Sequence, residues 1–239
     1  MFVAFLMCFL AAPGCTNAPE LRVDLERSPA AFRTASSAAD RLLRETMREH
    51  DLPSISVAIS MDGELVYERA LGYSDIASEH PATSQTVYAQ GSITKSLTAV
   101  AALMLSEQGR LDLDAPVQKY CPAFPEKPQP ISVRQLLAHT AGIRHYDYRR
   151  FADDYLNSIR YPNVAASLAK FSGDPLVAPP GERYHYSSWG YVVVACAIEG
   201  AGGADFPRFV KEEILAPAGM ANSRMDEPDR KSTRLNSSH

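Results

Sequence analysis

Gln90-Gly91-Ser92-Ile93-Thr94-Lys95-Ser96-Leu97 is the stretch on which the reading of this 239-residue chain turns. It sets a serine three residues before a lysine, where a small lead-in meets an apolar run through Leu103, Met104 and Leu105 that stops at Gly109. The run is apolar around most of its circumference, which predicts a buried helix with Ser92 in its first turn. Three helical steps bring the Lys95 amine back over Ser92 on the same face. A serine hydroxyl is a poor nucleophile until a base removes its proton. An amine withdrawn from water at a helix N-terminus has its charged form disfavoured by desolvation and by the helix dipole, and so suits that task. Ser92 and Lys95 are therefore candidate catalytic residues. The competing reading of Ser92 is a plain helix N-cap.

The spacing alone is weak, since ordinary residue frequencies give roughly one such match in a chain of this size. The sequence holds a second, Ser167-Leu168-Ala169-Lys170. Ser167 follows Asn163-Val164-Ala165-Ala166 and is expected in mid-helix, away from a helix end, where its role is structural.

Composition bounds the function classes. The chain is 46% hydrophobic and 22% charged, enough for a sizeable core, and its length fits one domain. A net charge of −4 without a long basic run argues against a nucleic-acid partner. No residue spacing suggests a metal site or a cofactor. Met1 to Gly14 carries no charged side chain and is mostly apolar, and reads as a secretory signal region too short to span a membrane comfortably. Ala12-Pro13-Gly14-Cys15-Thr16 resembles a bacterial lipoprotein cleavage box, so Cys15 is the residue through which a lipid would attach the protein to a membrane. The expected location is periplasmic or on the membrane as a lipoprotein. Residues 15–36 read as a linker, and 37–228 as the folded domain.

Cys121 and Cys196 remain for the mature domain. A disulfide between them is open in an oxidising compartment, but two independent thiols, with Cys196 in the core, are the expectation. Residues 229–239 have no apolar periodicity and resemble the translation of a sequencing-library adapter. They are expected to be an artefact that cuts the natural frame after Pro228.

Along the chain, Ser37 to Glu49 carries Ala38, Leu42, Leu43 and Met47 at helical spacing. Ile55, Val57 and Ile59 alternate, Asp62-Gly63 signals a hairpin turn, and Leu65 to Tyr73 reads as the return strand. Ser132 caps a short helix, Val133 to His139, which ends near Gly142. At the C-terminus of that helix His139 is expected to make a structural hydrogen bond and to interact with the helix dipole. The valines of Val192 to Val194 favour a strand on propensity. Phe206 to Leu215 is amphipathic.

Four segments together resemble the serine beta-lactamase and penicillin-binding-protein superfamily: Ser92-Ile93-Thr94-Lys95; Leu136 to Gly142; Pro180-Gly181 leading to Tyr186-Ser187-Ser188; and Pro217-Ala218-Gly219-Met220. The resemblance covers roughly residues 37–225 and is nearest the class C-like branch. Pro122 to Lys127 and Gly142-Ile143-Arg144-His145-Tyr146 are similar to the LACTB-type serine hydrolases. It implies an α/β (α+β) fold: an antiparallel sheet flanked by helices, a mostly helical lobe, and an active site between them. It turns the valine run from a strand into a buried helix. Ser92 would be the acylated nucleophile, with Lys95 and Tyr186 as base and proton relay, their division of labour left open. Ser188 would bind substrate, and the Ser92 backbone N–H would give half an oxyanion hole.

Two departures shape the expected function. The third element ends in Ser188 where the family usually has asparagine, so a ligand amide is held less well. That favours a peptidase or esterase on a small-molecule or peptide acyl substrate. A D-alanyl-D-alanine carboxypeptidase or a beta-lactamase is the alternative, and a non-catalytic envelope lipoprotein is the alternative of another class. The second departure is that no Lys/His-Thr/x-Gly strand follows Met220. Without it and its neighbours the hairpin has an unpaired edge, and this polypeptide is expected to be inactive.

Overall fold

The computed structural model describes residues 32–150, 154 and 161–225. The leader, Cys15 and the polar tail lie outside them. The described residues form a mixed α and β fold in two compact units that meet in sequence at Ala89 and Gln90.

In the first unit helix α1 (Arg33–Glu49) is followed by strands β1 (Ser54–Met61), β2 (Glu64–Asp75) and β3 (His80–Pro81), in one antiparallel sheet of order β1-β2-β3. Asp62 and Gly63 take φ of 51° and 84°, the left-handed pair that a two-residue hairpin turn of this twist needs. The register sets Ile55 opposite Leu71 and Ile59 opposite Tyr67. Leu43, Ile55, Tyr67 and Leu71 make the core, with Ala39 and Met47 against them. The buried stripe of α1 thus passes through Ala39, Leu43 and Met47, and Leu42, read from the sequence as part of it, is 62% exposed. Two side chains meet the Asp40 carboxylate: Tyr67 donates to it at 2.7 Å, and Arg69 Nε lies 3.0 Å from the same oxygen as an ion pair. Burial and the Asp40 carboxylate hold the Tyr67 phenol well above its ordinary pKa. Strand β3 has only two residues, too few to show a period.

The second unit begins with a single 3₁₀ turn, Gly91–Ile93, that leads into helix α2 (Thr94–Glu107). Gly109, at φ 68°, follows the C-terminal end of α2. Helix α3 (Val133–Leu137) starts on a capping box in which Ser132 accepts from the Gln135 N–H and Gln135 answers to the Ser132 N–H. The helix Ser188–Gly202 runs through the core and packs on both α2 and α3. Val193, Val194, Ala197 and Ile198 on it are buried. A helix that is apolar on every side is stable when surrounded, and this outweighs the strand propensity of its valines. The last amphipathic stretch splits into a helix, Phe206–Val210, and a wider π turn, Lys211–Leu215.

One sequence expectation is overturned in this unit. Cys121 and Cys196 are joined as a disulfide, their Cα atoms 5.4 Å apart, and are not independent thiols. The cause is a close crossing. The turn Val117–Lys119 and Tyr120 lie against the core helix where Gly200 leaves no side chain, and a Cβ there would stand 1.8 Å from the Tyr120 carbonyl oxygen. That approach carries Cys121 to within bonding reach of Cys196, one turn earlier on the helix.

Candidate active site

The sequence-predicted residues Ser92, Lys95, Tyr186 and Ser188 all meet in the second unit. Ser92 Oγ lies 2.8 Å from Tyr186 Oη, a partner 94 residues away in sequence. Lys95 Nζ donates to Ser92 Oγ at 3.2 Å and to Ser188 Oγ at 3.0 Å. The amine also sits 5.0 Å from the centre of the Tyr186 ring and 5.8 Å from that of Tyr191. Ser92 is not a helix cap: no side-chain cap bond closes the 3₁₀ turn or α2, and its hydroxyl faces the phenol and the amine. Ser92 is exposed, Lys95 and Tyr186 are half-buried, and Ser188 is buried.

The electrostatics tie these groups into one proton network. Burial alone would raise the Tyr186 phenol. Hydrogen bonding to Lys95 and Ser92, together with the Lys95 charge, outweighs it and holds the phenol below its ordinary value of 10.0. Such an arrangement can pass the Ser92 proton to Tyr186 Oη, with the Lys95 charge stabilising the phenolate that accepts it.

Backbone bonds align the segment that carries Tyr186. Past the end of α3 the chain turns at His139, φ 58°, and Gly142, φ 71°. Three bonds then lace this turn to the later segment: Val177 N–H to the Gly142 carbonyl, Gly181 N–H to Thr140, and His185 N–H to His139, at 2.8, 2.8 and 2.7 Å. Gly142 is required there, since a Cβ would stand 2.0 Å from the Ala178 carbonyl oxygen. Ser187 ends the segment as the N-cap of the core helix: its Oγ accepts from the Gly190 N–H at 2.9 Å and donates to the Arg144 carbonyl at 2.7 Å. The motif Leu136 to Gly142 thus scaffolds Tyr186.

Side-chain contacts around Tyr186 add residues that motif reading gave no site role. His139 Nδ1 accepts the Ser187 N–H at 3.1 Å, and His145 Nδ1 accepts the Ser188 N–H at 3.2 Å. The structural hydrogen bond expected of His139 is present. It accepts through an unprotonated nitrogen, and a neutral ring brings no charge to the helix dipole. Burial first, then the Lys95 charge, keeps both imidazoles below the usual histidine pKa. Tyr191 donates to the Leu137 carbonyl at 2.9 Å, which holds its ring near Lys95. Neither His145 nor Tyr191 stands in a spacing that signals chemistry, although His145 lies inside Gly142-Ile143-Arg144-His145-Tyr146, already singled out by resemblance.

Comparisons with known proteins identify the family and its fold. The family profile described as Beta-lactamase matches residues 39–239. The human serine beta-lactamase-like protein LACTB, mitochondrial, is 29% identical over 76% of this chain and 45% of its own. Penicillin-binding protein 4* of Bacillus subtilis is 30% identical over 77% of this chain and 40% of its own. The solved octameric penicillin-binding protein homologue from Pyrococcus abyssi superposes with a TM-score of 0.67 and is 34% identical, covering 77% of this chain and 43% of that one. The chain spans less than half the length of these relatives. It belongs to the Beta-lactamase family.

Proposed function

We propose that the protein to which this chain belongs is a serine hydrolase that cleaves an amide or ester through an acyl-enzyme on Ser92. One observation carries the reading: Ser92 Oγ is held at once by Tyr186 Oη at 2.8 Å and Lys95 Nζ at 3.2 Å. In the proposed first step the Ser92 oxygen attacks the substrate carbonyl carbon and its proton passes to the Tyr186 phenolate. The carbonyl π pair moves to oxygen, beside the Ser92 backbone N–H. The tetrahedral adduct then collapses, and the leaving amine or alcohol departs with the proton from Tyr186. Water reverses the sequence: Tyr186 takes a proton from water, the hydroxide attacks the acyl carbon, and Ser92 leaves and recovers the proton. Lys95 stabilises the phenolate by its hydrogen bonding and its charge. Proton transfer of this kind contributes roughly 10²–10⁴-fold to the rate.

Ser188 accepts from Lys95 and keeps its own hydrogen to offer a substrate oxygen. A single hydroxyl there, in place of an amide, supports peptidase or esterase character over beta-lactam hydrolysis. A leader ending near Cys15 supports export and attachment to a membrane by lipid.

The test uses the full-length protein. Release of p-nitrophenol from an activated ester, with acyl adduct on Ser92 by mass spectrometry and loss of both in Ser92→Ala, is the expected result. Rapid turnover of a chromogenic cephalosporin would replace the reading with a beta-lactamase. Long-lived labelling by a fluorescent penicillin with little ester turnover would favour the carboxypeptidase. No adduct with any of the three would leave a non-catalytic binding protein.

A further inference from the structure

We propose that His139 and His145 act as a pair of positioning residues whose neutral imidazoles hold the Tyr186–Ser188 segment in register with Ser92 and Lys95. The inference rests on the serine-hydrolase reading above. The two rings accept consecutive main-chain N–H groups, Ser187 on His139 Nδ1 at 3.1 Å and Ser188 on His145 Nδ1 at 3.2 Å. Both also pack on the phenol ring itself: His139 tilted at 4.5 Å between centres, His145 edge-on at 5.1 Å and 81°. Tyr186 has two rotatable side-chain bonds, and these contacts hold its ring. The backbone bonds hold the peptide behind it. Ser188, whose hydroxyl meets Lys95, hangs on the same anchor.

The arrangement works in one protonation state. An Nδ1 that accepts requires the proton at Nε2, and an imidazolium has no acceptor at all. Protonation would turn each bond into two donors facing each other and would set new positive charge near Lys95. The groups around the pair are known. His139 faces Lys95, His145 and the rings of Tyr184, Tyr186 and Tyr191. His145 faces Lys95, His185 and the rings of Tyr146, Tyr148 and Tyr186. Along the chain Arg144 is paired with Asp154 and Asp174, and Asp147 with Arg149. Burial and the Lys95 charge both favour the neutral rings. The sign follows. The folded state binds these protons less readily than the unfolded chain. Stability and geometry are therefore complete above the unfolded histidine value of 6.5 and are lost as pH falls from there through the lowered folded values. A histidine limb of acylation, separate from the rising limb that ionisation of Tyr186 sets, is assigned to this pair.

Asparagine separates acceptor from titration. Its side-chain oxygen sits near the place of Nδ1 and accepts at every pH. It also tolerates the left-handed backbone of His139 at φ 58°. In the full-length protein, kcat/KM for a p-nitrophenyl ester is followed across pH in the wild type, His139→Asn, His145→Asn, the double variant and His145→Leu. Both single asparagine variants are expected to keep the neutral-pH value within about threefold, and the double variant to lose the histidine acid limb. His145→Leu, with no acceptor, is expected to fall about tenfold at every pH, the worth of one hydrogen bond. An unmoved acid limb in the double variant, with wild-type kcat/KM in His145→Leu, overturns the proposal. Absence of a Ser92 adduct in the wild type overturns the hydrolase reading instead. In that case ¹⁵N resonances of the imidazoles decide separately: neutral rings protonated at Nε2 at pH 7 support the anchor, and rings protonated at Nδ1 or doubly protonated overturn it.

Discussion

The chain carries two serines that each stand three residues before a lysine, and their fates differ. At the first, the Lys95 amine reaches Ser92 Oγ at 3.2 Å and Tyr186 Oη closes the other side at 2.8 Å. At the second, Ser167 Oγ turns back on its own turn and donates to the Val164 carbonyl at 2.6 Å. Ser167 ends a helix of only four residues, and Leu168–Lys170 continues as 3₁₀, so no long helix projects the lysine back over the serine. A serine with a free carbonyl one turn behind it makes the local bond first. Ser92 sits in a 3₁₀ turn at the head of a fourteen-residue helix, and a distant segment brings it a better partner. Equal spacing therefore does not by itself bring the amine to the hydroxyl, and the distant phenol that meets Ser92 sets the first pair apart.

The sharpest way to break this contrast is to remove each hydroxyl in turn. Ser92→Ala in the full-length protein is expected to lower ester kcat/KM by at least about 10⁴-fold, as loss of a nucleophile does. Ser167→Ala is expected to leave it unchanged. Equal losses in both would mean that the second pair also reaches substrate. The lysines come next. Lys95→Met is expected to cost ~10²–10⁴-fold, while Lys170→Met costs nothing measurable. The first variant has a further signature. Lys95 lowers the Tyr186 pKa, so its removal lets the phenol rise and moves the rising limb of the kcat/KM–pH profile to higher pH. A profile that keeps its midpoint would mean that Lys95 does not set the ionisation of Tyr186.

How much of this was legible in the sequence depends on how far apart the partners lie. The hairpin followed from Asp62-Gly63 and the alternation around it, and α2 from its apolar run, because both signals are local. Ser92, Lys95, Tyr186 and Ser188 could be named together because short motifs carry them in a fixed order. The core helix Ser188–Gly202 needed the family resemblance, since its valines speak locally for a strand and tertiary burial overrides them. His145 is one histidine in a loop, and nothing in its neighbourhood shows that its Nδ1 will meet the Ser188 N–H, 43 residues on. The disulfide escapes a local reading for the same reason. Its two cysteines are 75 residues apart, and the approach that joins them depends on a glycine of one element meeting a carbonyl of another.

That disulfide offers a stability test of the same contrast. It fixes the helix that begins at Ser188 and so lies behind the Lys95 site, whereas the Ser167 pair stands on its own short turn. Cys121→Ser with Cys196→Ser is expected to lower the stability of the full-length protein by about 2–4 kcal/mol in urea melts, as loss of a bridge that closes a long loop does. Ester kcat/KM at low denaturant is expected to survive, because Lys95, Ser92 and Tyr186 keep their own bonds. A loss of rate without a loss of stability would show instead that the bridge sets the position of Ser188.

The smallest effect belongs to the second pair. Asn163 caps its short helix through a bond from the Ala166 N–H at 2.8 Å, and Ser167 closes the same turn. Asn163→Ala removes the cap and is expected to cost about 1 kcal/mol of stability with no change in kcat/KM or in its pH profile. Adding Ser167→Ala should then cost less than it does in the wild type, because a turn already frayed has less to lose when its second local bond goes. If the two losses simply add, the cap and the serine stabilise separate structures. If either change slows acylation at Ser92, the turn is part of the support behind Tyr186, and the two Ser-x-x-Lys pairs cannot be treated as independent.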